Sequence, residues 1–384
     1  MTSEDRKENR YQRRKERRIA KKQKALENVD DFDKVFTFKH LYVSYKRCRR
    51  NVTWKSSVQK YCLFASLNVY TTLKKLRNGK YKSPGFFEFD LFERGKKRHI
   101  RSTVIDERVV QRCLCDFCLV PALGRTFIYD NGASMKNKGY DFAIKRVTEQ
   151  LRRHYRKYGN SGYALLFDFS KFFDNVSHKL VKRIICNELS DERIVKLTEH
   201  FVDAFGNVGL GLGSQISQIL ALASANDLDH EIKEKLIIKL FERYMDDGIM
   251  TDKSKAHLIK VRQAIGRICK ILDIKLNEKK TQIVKLSHGF TWLKVRFFLT
   301  KNGKVVRKIS KESIKRCRKR MKKLYKRWLR GLVPFCAIYK SFRSWYGYSL
   351  RFNAWHTRNN MTALYNSLLR QAEREESYGL YQVS

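Results

Sequence analysis

Proline is scarce, with only three in 384 residues, which argues against long disordered linkers. Long apolar runs are missing too: no stretch reaches the roughly 18 residues that would flag a bilayer-spanning helix. The first residues carry charge with no apolar segment behind it, so no secretory signal is expected. The nine cysteines follow no framework spacing. Cys113, Cys115 and Cys118 cluster on an expected helix, Val109–Leu119. Cys115-x-x-Cys118 resembles half of a zinc site, but no second Cys or His pair at ligand spacing completes it. Buried thiols in a reducing cytoplasm are the expectation. Acidic residues are outnumbered, 38 Asp and Glu against 83 Lys and Arg, for a net charge of +45. That imbalance points to nucleic acid as a partner and to salt-dependent binding through counterion release. No internal repeat is visible.

What is present is a folded body. Hydrophobic residues make up 42% and aromatics 12% of the chain, enough for a large core and two or three subdomains. The positive charge concentrates at both ends. Residues 1–30 hold eleven Lys and Arg against six Asp and Glu, and residues 301–330 hold fifteen against one. The first stretch reads as a basic helix or arm. The second reads as a helix, Ser310–Leu329, charged almost all round, and such uncompensated charge calls for a polyanion alongside. Aromatics return in Ile338–Leu369, which reads as a small helical bundle in which core packing outweighs base stacking.

Two acidic motifs carry the chemistry. Tyr244-Met245-Asp246-Asp247 lies between β-prone runs, Ile237–Arg243 and Gly248–Thr251, and reads as a hairpin with two carboxylates at its tip. Adjacent side chains on a flat strand point to opposite faces, so a turn is needed to bring both to one site. Upstream, the apolar run Tyr163–Phe167 reads as a buried strand ending in Asp168, followed by a helix over Ser170–Ile185. A charge at that position is costly unless paired or metal-bound. Three carboxylates on neighbouring strands can hold two hard divalent ions such as Mg²⁺ about 4 Å apart, the arrangement used for in-line phosphoryl transfer.

Phe167-Asp168-Phe169-Ser170-Lys171-Phe172-Phe173-Asp174 and Tyr244-Met245-Asp246-Asp247 resemble the palm motifs of reverse transcriptases in order and separation, and the likeness extends over about residues 40–345. The resemblance implies an α+β right-hand polymerase. Its parts would be a basic arm at 1–34, fingers and extension at 35–160, an antiparallel-sheet palm at 161–300 and a basic helical thumb at 301–384. It implies RNA-directed DNA synthesis with two Mg²⁺ ions, Mn²⁺ being a possible substitute. The partners would be template RNA, the cDNA and its RNA–DNA duplex, and dNTPs, in the cytoplasm of a bacterium or phage host. Asp168 and Asp246 become principal metal ligands, Asp247 the third carboxylate, and Phe169 a backbone-carbonyl ligand. Tyr244 and Met245 would lie by the primer or template. Phe173 becomes the steric gate that excludes a 2′-hydroxyl; its rival reading is a core aromatic.

Other segments extend the likeness. Lys280, in Leu276-Asn-Glu-Lys279-Lys280-Thr281, is the candidate for neutralising or protonating departing pyrophosphate. Trp292-Leu293-Lys294 resembles the strand that grips the primer end, with Lys294 where the family often has Gly. Arg98 is the best triphosphate contact by its spacing from Arg108, with Arg101 and Lys97 as alternatives. Leu212-Gly213-x-x-x-Ser217-Gln218 departs from the usual Gln-Gly-x-x-x-Ser-Pro. That variant resembles the enzymes of diversity-generating retroelements, which copy RNA with frequent errors at adenines and work with a small basic accessory protein. An apolar Leu212 offers fewer hydrogen bonds for checking a nucleotide, though it can equally be a packing leucine. Two further readings are an antiviral enzyme using a linked noncoding RNA, and a non-catalytic, maturase-like RNA-binding protein. No appended endonuclease, RNase H or integrase module is expected.

Overall fold

The computed structural model describes residues 3–93 and 96–381; the extreme ends of the expected arm and thumb, residues 1–2 and 382–384, lie outside the described residues. The chain divides into two interleaved units. One comprises Met1–Ala143, Phe167–Gly248 and Lys260–Thr281; the other comprises Ile144–Leu166, Ile249–Ile259 and Gln282–Ser384.

The first unit is built mainly of amphipathic helices. Ser3–Leu26 is one long basic helix. Phe38–Cys48 starts where the Thr37 hydroxyl accepts the His40 N–H at 3.1 Å, which caps an otherwise unpaired donor. Its buried face is Leu41, Ser44 and Tyr45, three and four residues apart. Strands β1 (Phe86–Glu93) and β2 (Lys96–Thr103) pair antiparallel, with Phe86 opposite Thr103 and Leu91 opposite Arg98. One hairpin face carries ion pairs, Arg101 with Glu88 at 3.0 Å and Lys97 with Asp90 at 2.9 Å. The helix expected over Val109–Leu119 is in two pieces: an α-helix, Ile105–Leu114, and a wider π turn, Cys115–Leu119. Cys113, Cys115 and Cys118 are buried there, and burial pushes their thiols up, Cys113 to about 12.

A four-stranded sheet positions the acidic motifs. Its strands are β3 (Tyr163–Asp168), β4 (Phe241–Tyr244), β5 (Asp247–Asp252) and β6 (Gln282–Lys285), in the order β4-β5-β3-β6. β3 is buried along nearly its whole length, as its apolar run requires. The strand expected from Ile237 begins only at Phe241. A π turn at Glu231–Lys235 leads into this stretch, and Ile237 is left-handed (φ +55°), which no strand residue is. The loop at Asp130–Gly132 covers the edge of β4: the Arg243 N–H donates to the Asp130 carbonyl at 3.0 Å, and the Gly132 N–H donates to the Arg243 carbonyl at 2.8 Å. A covered edge cannot recruit a foreign strand.

The second unit holds a three-stranded antiparallel sheet, β7 (Phe290–Trp292), β8 (Val295–Leu299) and β9 (Val305–Ile309). Helices Lys311–Trp328, Cys336–Ser349 and Trp355–Tyr381 follow. Ser310 caps the first, accepting the Ser313 N–H at 3.3 Å. That helix buries only Cys317 and Met321, so its charge stays outward. The other two helices meet through aromatics, with the Phe342 and Tyr365 rings stacked 4.7 Å apart. No helix among the described residues is long and apolar enough to cross a membrane. The observed mixture of helices with antiparallel strands is the α+β class expected.

Candidate active site

The first unit brings the acidic motifs together. Asp168 ends β3, nearly buried at 5% exposure. Next to it the Phe169 N–H donates to the Asp246 carbonyl at 3.1 Å, which ties the end of β3 to the turn between β4 and β5. That turn is two residues, Met245 and Asp246, with Met245 left-handed at φ +55°. Gly248 follows because the Phe167 ring leaves no room: a Cβ there would stand 2.1 Å from the ring.

Three carboxylates this close oppose one another's ionisation. Burial, helped by the charge of Asp168, raises the pKa of Asp246. Asp247 is pushed up to about 7 by burial first, then by the charges of Asp246 and Asp168. Two cations answer them, Arg243 by its charge on Asp246 and Lys280 by direct contact. The Lys280 ammonium donates to Asp168 Oδ2 at 2.7 Å. Its burial works against its charge, yet the bond and charge of Asp168 prevail and raise its pKa. Asn277 takes the other oxygen, its Nδ2 donating to Asp168 Oδ1 at 3.1 Å, while its N–H donates to the Asp168 carbonyl at 2.8 Å. Among the described residues no three His, Cys, Asp or Glu stand at ready metal-ligand spacing, and both oxygens of Asp168 are taken by protein donors. The donor chemistry nonetheless fits a hard divalent ion: all-oxygen, anionic and mutually repelling.

Phe173 lies on a one-turn helix, Phe172–Asn175, entered through a left-handed Lys171 at φ +44°. The helix expected over Ser170–Ile185 is therefore split, restarting at His178 after Ser177 bridges to Val208. Phe173 is half-buried, and its carbonyl accepts the Leu210 N–H at 2.7 Å. Gly209 packs against the Asp174 backbone, where a Cβ would meet the carbonyl at 2.8 Å. The glycine-rich segment is thus fixed to the turn that carries Phe173.

Two hollows flank this segment. Leu212 lines one of about 190 Å³ with His99, Arg101, Asp174 and Gly211. Gly213 and Gln218 line another of about 320 Å³ with Arg112, Ser134 and Gln215. Gln218 accepts from the Ser134 hydroxyl at 3.2 Å, and Ser217 is buried. Ser214 caps the helix Gln215–Ser224 and donates to Gln111 at 2.8 Å. Arg101 bonds Glu88 and the Phe205 carbonyl, the latter at 3.1 Å; Arg108 is engaged by Ser102 and the Thr103 carbonyl. Arg98 is exposed on β2. Tyr244 is half-buried, and burial raises its pKa.

Trp292, Leu293 and Lys294 belong to the second unit. Trp292 is 3% exposed, as a core residue would be. Leu293 and Lys294 form the β7–β8 turn at φ +45° and +66°. Glycine would adopt either angle without steric cost.

Two supports escaped the sequence reading. Asn277 sits inside the quoted Lys280 segment, but nothing local indicates that it reaches a residue 109 positions away. Arg243 is fully buried, with its Nε and Nη2 each 2.6 Å from the carboxylate of Asp229. Its strand, Phe241-Glu242-Arg243-Tyr244, carries two charges among buried positions, and a buried charge demands a partner, but nothing local points to Asp229.

Such a turn beside a strand-end aspartate is the expected centre of a nucleotide polymerase. The chain matches the family "Reverse transcriptase (RNA-dependent DNA polymerase)" over residues 93–297, more than half its length. It belongs to that family, whose members generally depend on divalent metal. Among curated proteins it resembles "Protein YkfC" of Escherichia coli (strain K12), at 22% identity over 242 residues, covering 52% of this chain and 62% of YkfC. The chain therefore spans less than two thirds of that relative. Among solved structures it resembles telomerase from Candida albicans in complex with a TWJ fragment of telomeric RNA (TM-score 0.47, 12% identity, 77% of this chain, 58% of that one). It also resembles apo telomerase from Candida tropicalis (TM-score 0.48, 14% identity, 80% and 62%).

Proposed function

We propose that the chain is an RNA-directed DNA polymerase that extends a primer on an RNA template using dNTPs. The observation that carries this reading is the meeting of Asp168 with the Asp246–Asp247 turn, tied by the Phe169-to-Asp246 backbone bond and marked by the raised pKa of both turn carboxylates. Asp168, Asp246, Asp247 and the Phe169 carbonyl are the groups that would hold Mg²⁺ or Mn²⁺. When bound, the ions lower the pKa of the attacking primer hydroxyl and stabilise the leaving oxygens. Lys280 holds Asp168 through its ammonium; released from it, the same side chain is placed to neutralise pyrophosphate. Phe173 supplies the bulk that rejects a ribose 2′-hydroxyl. Residues 35–160, 161–300 and 301–384 serve as fingers, palm and thumb, with Arg98 and Arg101 toward the triphosphate and Trp292, Leu293 and Lys294 toward the primer. The exposed charge of Lys311–Trp328 follows the RNA–DNA duplex.

Primer extension tests the reading. Asp246→Asn should abolish dNTP incorporation while RNA binding persists; incorporation at the parent rate would defeat it. Phe173→Ala should admit rNTPs that the parent excludes. The finer reading is error-prone copying in a diversity-generating retroelement with a small basic accessory protein, supported by Leu212 in the nucleotide loop. cDNA sequenced from a defined template should carry errors mainly at adenines. An even error spectrum would favour instead the defence enzyme with its linked noncoding RNA.

A further inference from the structure

We propose that Arg243, oriented by Asp229, is a positioning residue that holds the Asp246–Asp247 turn in its working conformation and joins it to the helix behind the nucleotide loop. The inference rests on the polymerase reading above.

Both side chains are fully buried. Replacing a buried ion pair by apolar residues of similar volume often costs no stability, so stability alone is weak reason for this pair. Asp229 grips one edge of the guanidinium through two bonds of 2.6 Å. Two further donors reach backbone. Nη1 donates to the Met245 carbonyl at 2.8 Å, and Nη2 to the Leu222 carbonyl at 3.2 Å. Met245 is the left-handed residue of the turn, a conformation that L side chains disfavour. Leu222 lies on the helix Gln215–Ser224, which Ser214 caps beside Gly213. One planar group therefore ties the carboxylate turn to the nucleotide-loop helix. The Arg243 backbone is anchored independently by the Asp130 and Gly132 bonds, so a change of side chain can loosen the turn without dislodging the strand. Lysine would keep the charge against Asp229 but lacks the fork that reaches two carbonyls at once.

The test is Arg243→Lys. In metal-free protein, the Phe169 amide, which donates to Asp246, should exchange hydrogen at least about tenfold faster, while the β3–β6 amides keep their protection. In primer extension, kcat should fall about 10- to 100-fold and half-saturating Mg²⁺ should rise, as loss of a supporting contact does at metal sites. The KM for dNTP and RNA binding should stay within about twofold. A merely structural pair would lower the melting temperature and leave kcat, Mg²⁺ dependence and the Phe169 amide unchanged, and that result would overturn the proposal. Asp246→Asn run alongside separates the two failures. If it is active, the polymerase reading falls; if it is dead and Arg243→Lys is fully active, only the positioning role falls. Should the lysine variant not fold, Asp229→Asn is read by the same criteria. Should neither fold, the parent's Phe169 amide decides: protection equal to the core strands supports the clamp, and loop-like exchange overturns it.

Discussion

Two tight turns in this chain force ordinary side chains into left-handed backbone, and they are held in different ways. The β7–β8 turn places Leu293 and Lys294 at φ +45° and +66°. Its support is local: Trp292 pairs with Val295, and the Phe290 and Phe297 rings stack 5.4 Å apart across the strands. A two-residue turn with both φ angles positive matches the twist of its strands, so the hairpin itself imposes the shape. The β4–β5 turn has one left-handed residue, Met245, and its support depends on residues beyond the hairpin: Asp229 holds the Arg243 side chain that reaches it, and Phe169 and the 277–280 segment brace the carboxylates. Arg243 bonds the Met245 carbonyl, Phe169 bonds the Asp246 carbonyl, and Asn277 and Lys280 hold neighbouring Asp168. A turn fixed by its own strands needs only to be a turn. One braced through bonds to remote segments, while carrying carboxylates that repel each other, is held for a purpose.

If that contrast is right, breaking outside support should harm chemistry more than breaking local support. The largest effect is expected at Asn277. Asn277→Ala frees Asp168 Oδ1 and should lower kcat by about 10- to 100-fold, in line with second-shell losses at metal sites, with RNA binding retained in a filter-binding assay. An unchanged kcat would mean that Asp168 needs no such support.

A smaller effect concerns pH. Asp247 has a folded pKa of about 7, above the roughly 3.9 of an unfolded aspartate. Its protonated form is the one the fold favours. The stability it contributes is complete below the unfolded value and is lost as pH rises through 7. A divalent cation replaces the missing proton. Mg²⁺ should therefore raise the melting temperature more at pH 8 than at pH 6. Equal shifts at both would show that Asp247 does not feel the ion.

The smallest effect is at the other turn. Lys294→Gly removes a left-handed L-residue and should stabilise the protein by about 0.5–1 kcal/mol, read as a higher denaturant midpoint. A lower midpoint would show that the Lys294 side chain contributes more than its backbone angle costs.

The contrast also explains what the sequence revealed. Asp168 at the end of a buried strand, the hairpin that carries Asp246 and Asp247, and the basic helix expected over Ser310–Leu329 were all legible, because each is a short pattern with its own local signal, although Asp247 proves to open β5 rather than sit in the turn. The break after Phe173 was not: His178 reads as a continuation of the helix, and only the Ser177–Val208 bridge, set by a partner 31 residues on, interrupts it. The late start of β4 was hidden in the same way, by a left-handed Ile237 that periodicity cannot register. Asn277, Arg243 and Asp229 act through bonds between remote segments, so no local pattern marks them.

Manganese binding followed by electron paramagnetic resonance tests the central claim most directly. With RNA–DNA primer-template and dNTP present, the parent should take up two Mn²⁺ ions per chain, and Asp168→Asn and Asp246→Asn should each lose tight binding while still holding the nucleic acid. Two ions bound with parent affinity in either variant would contradict the account.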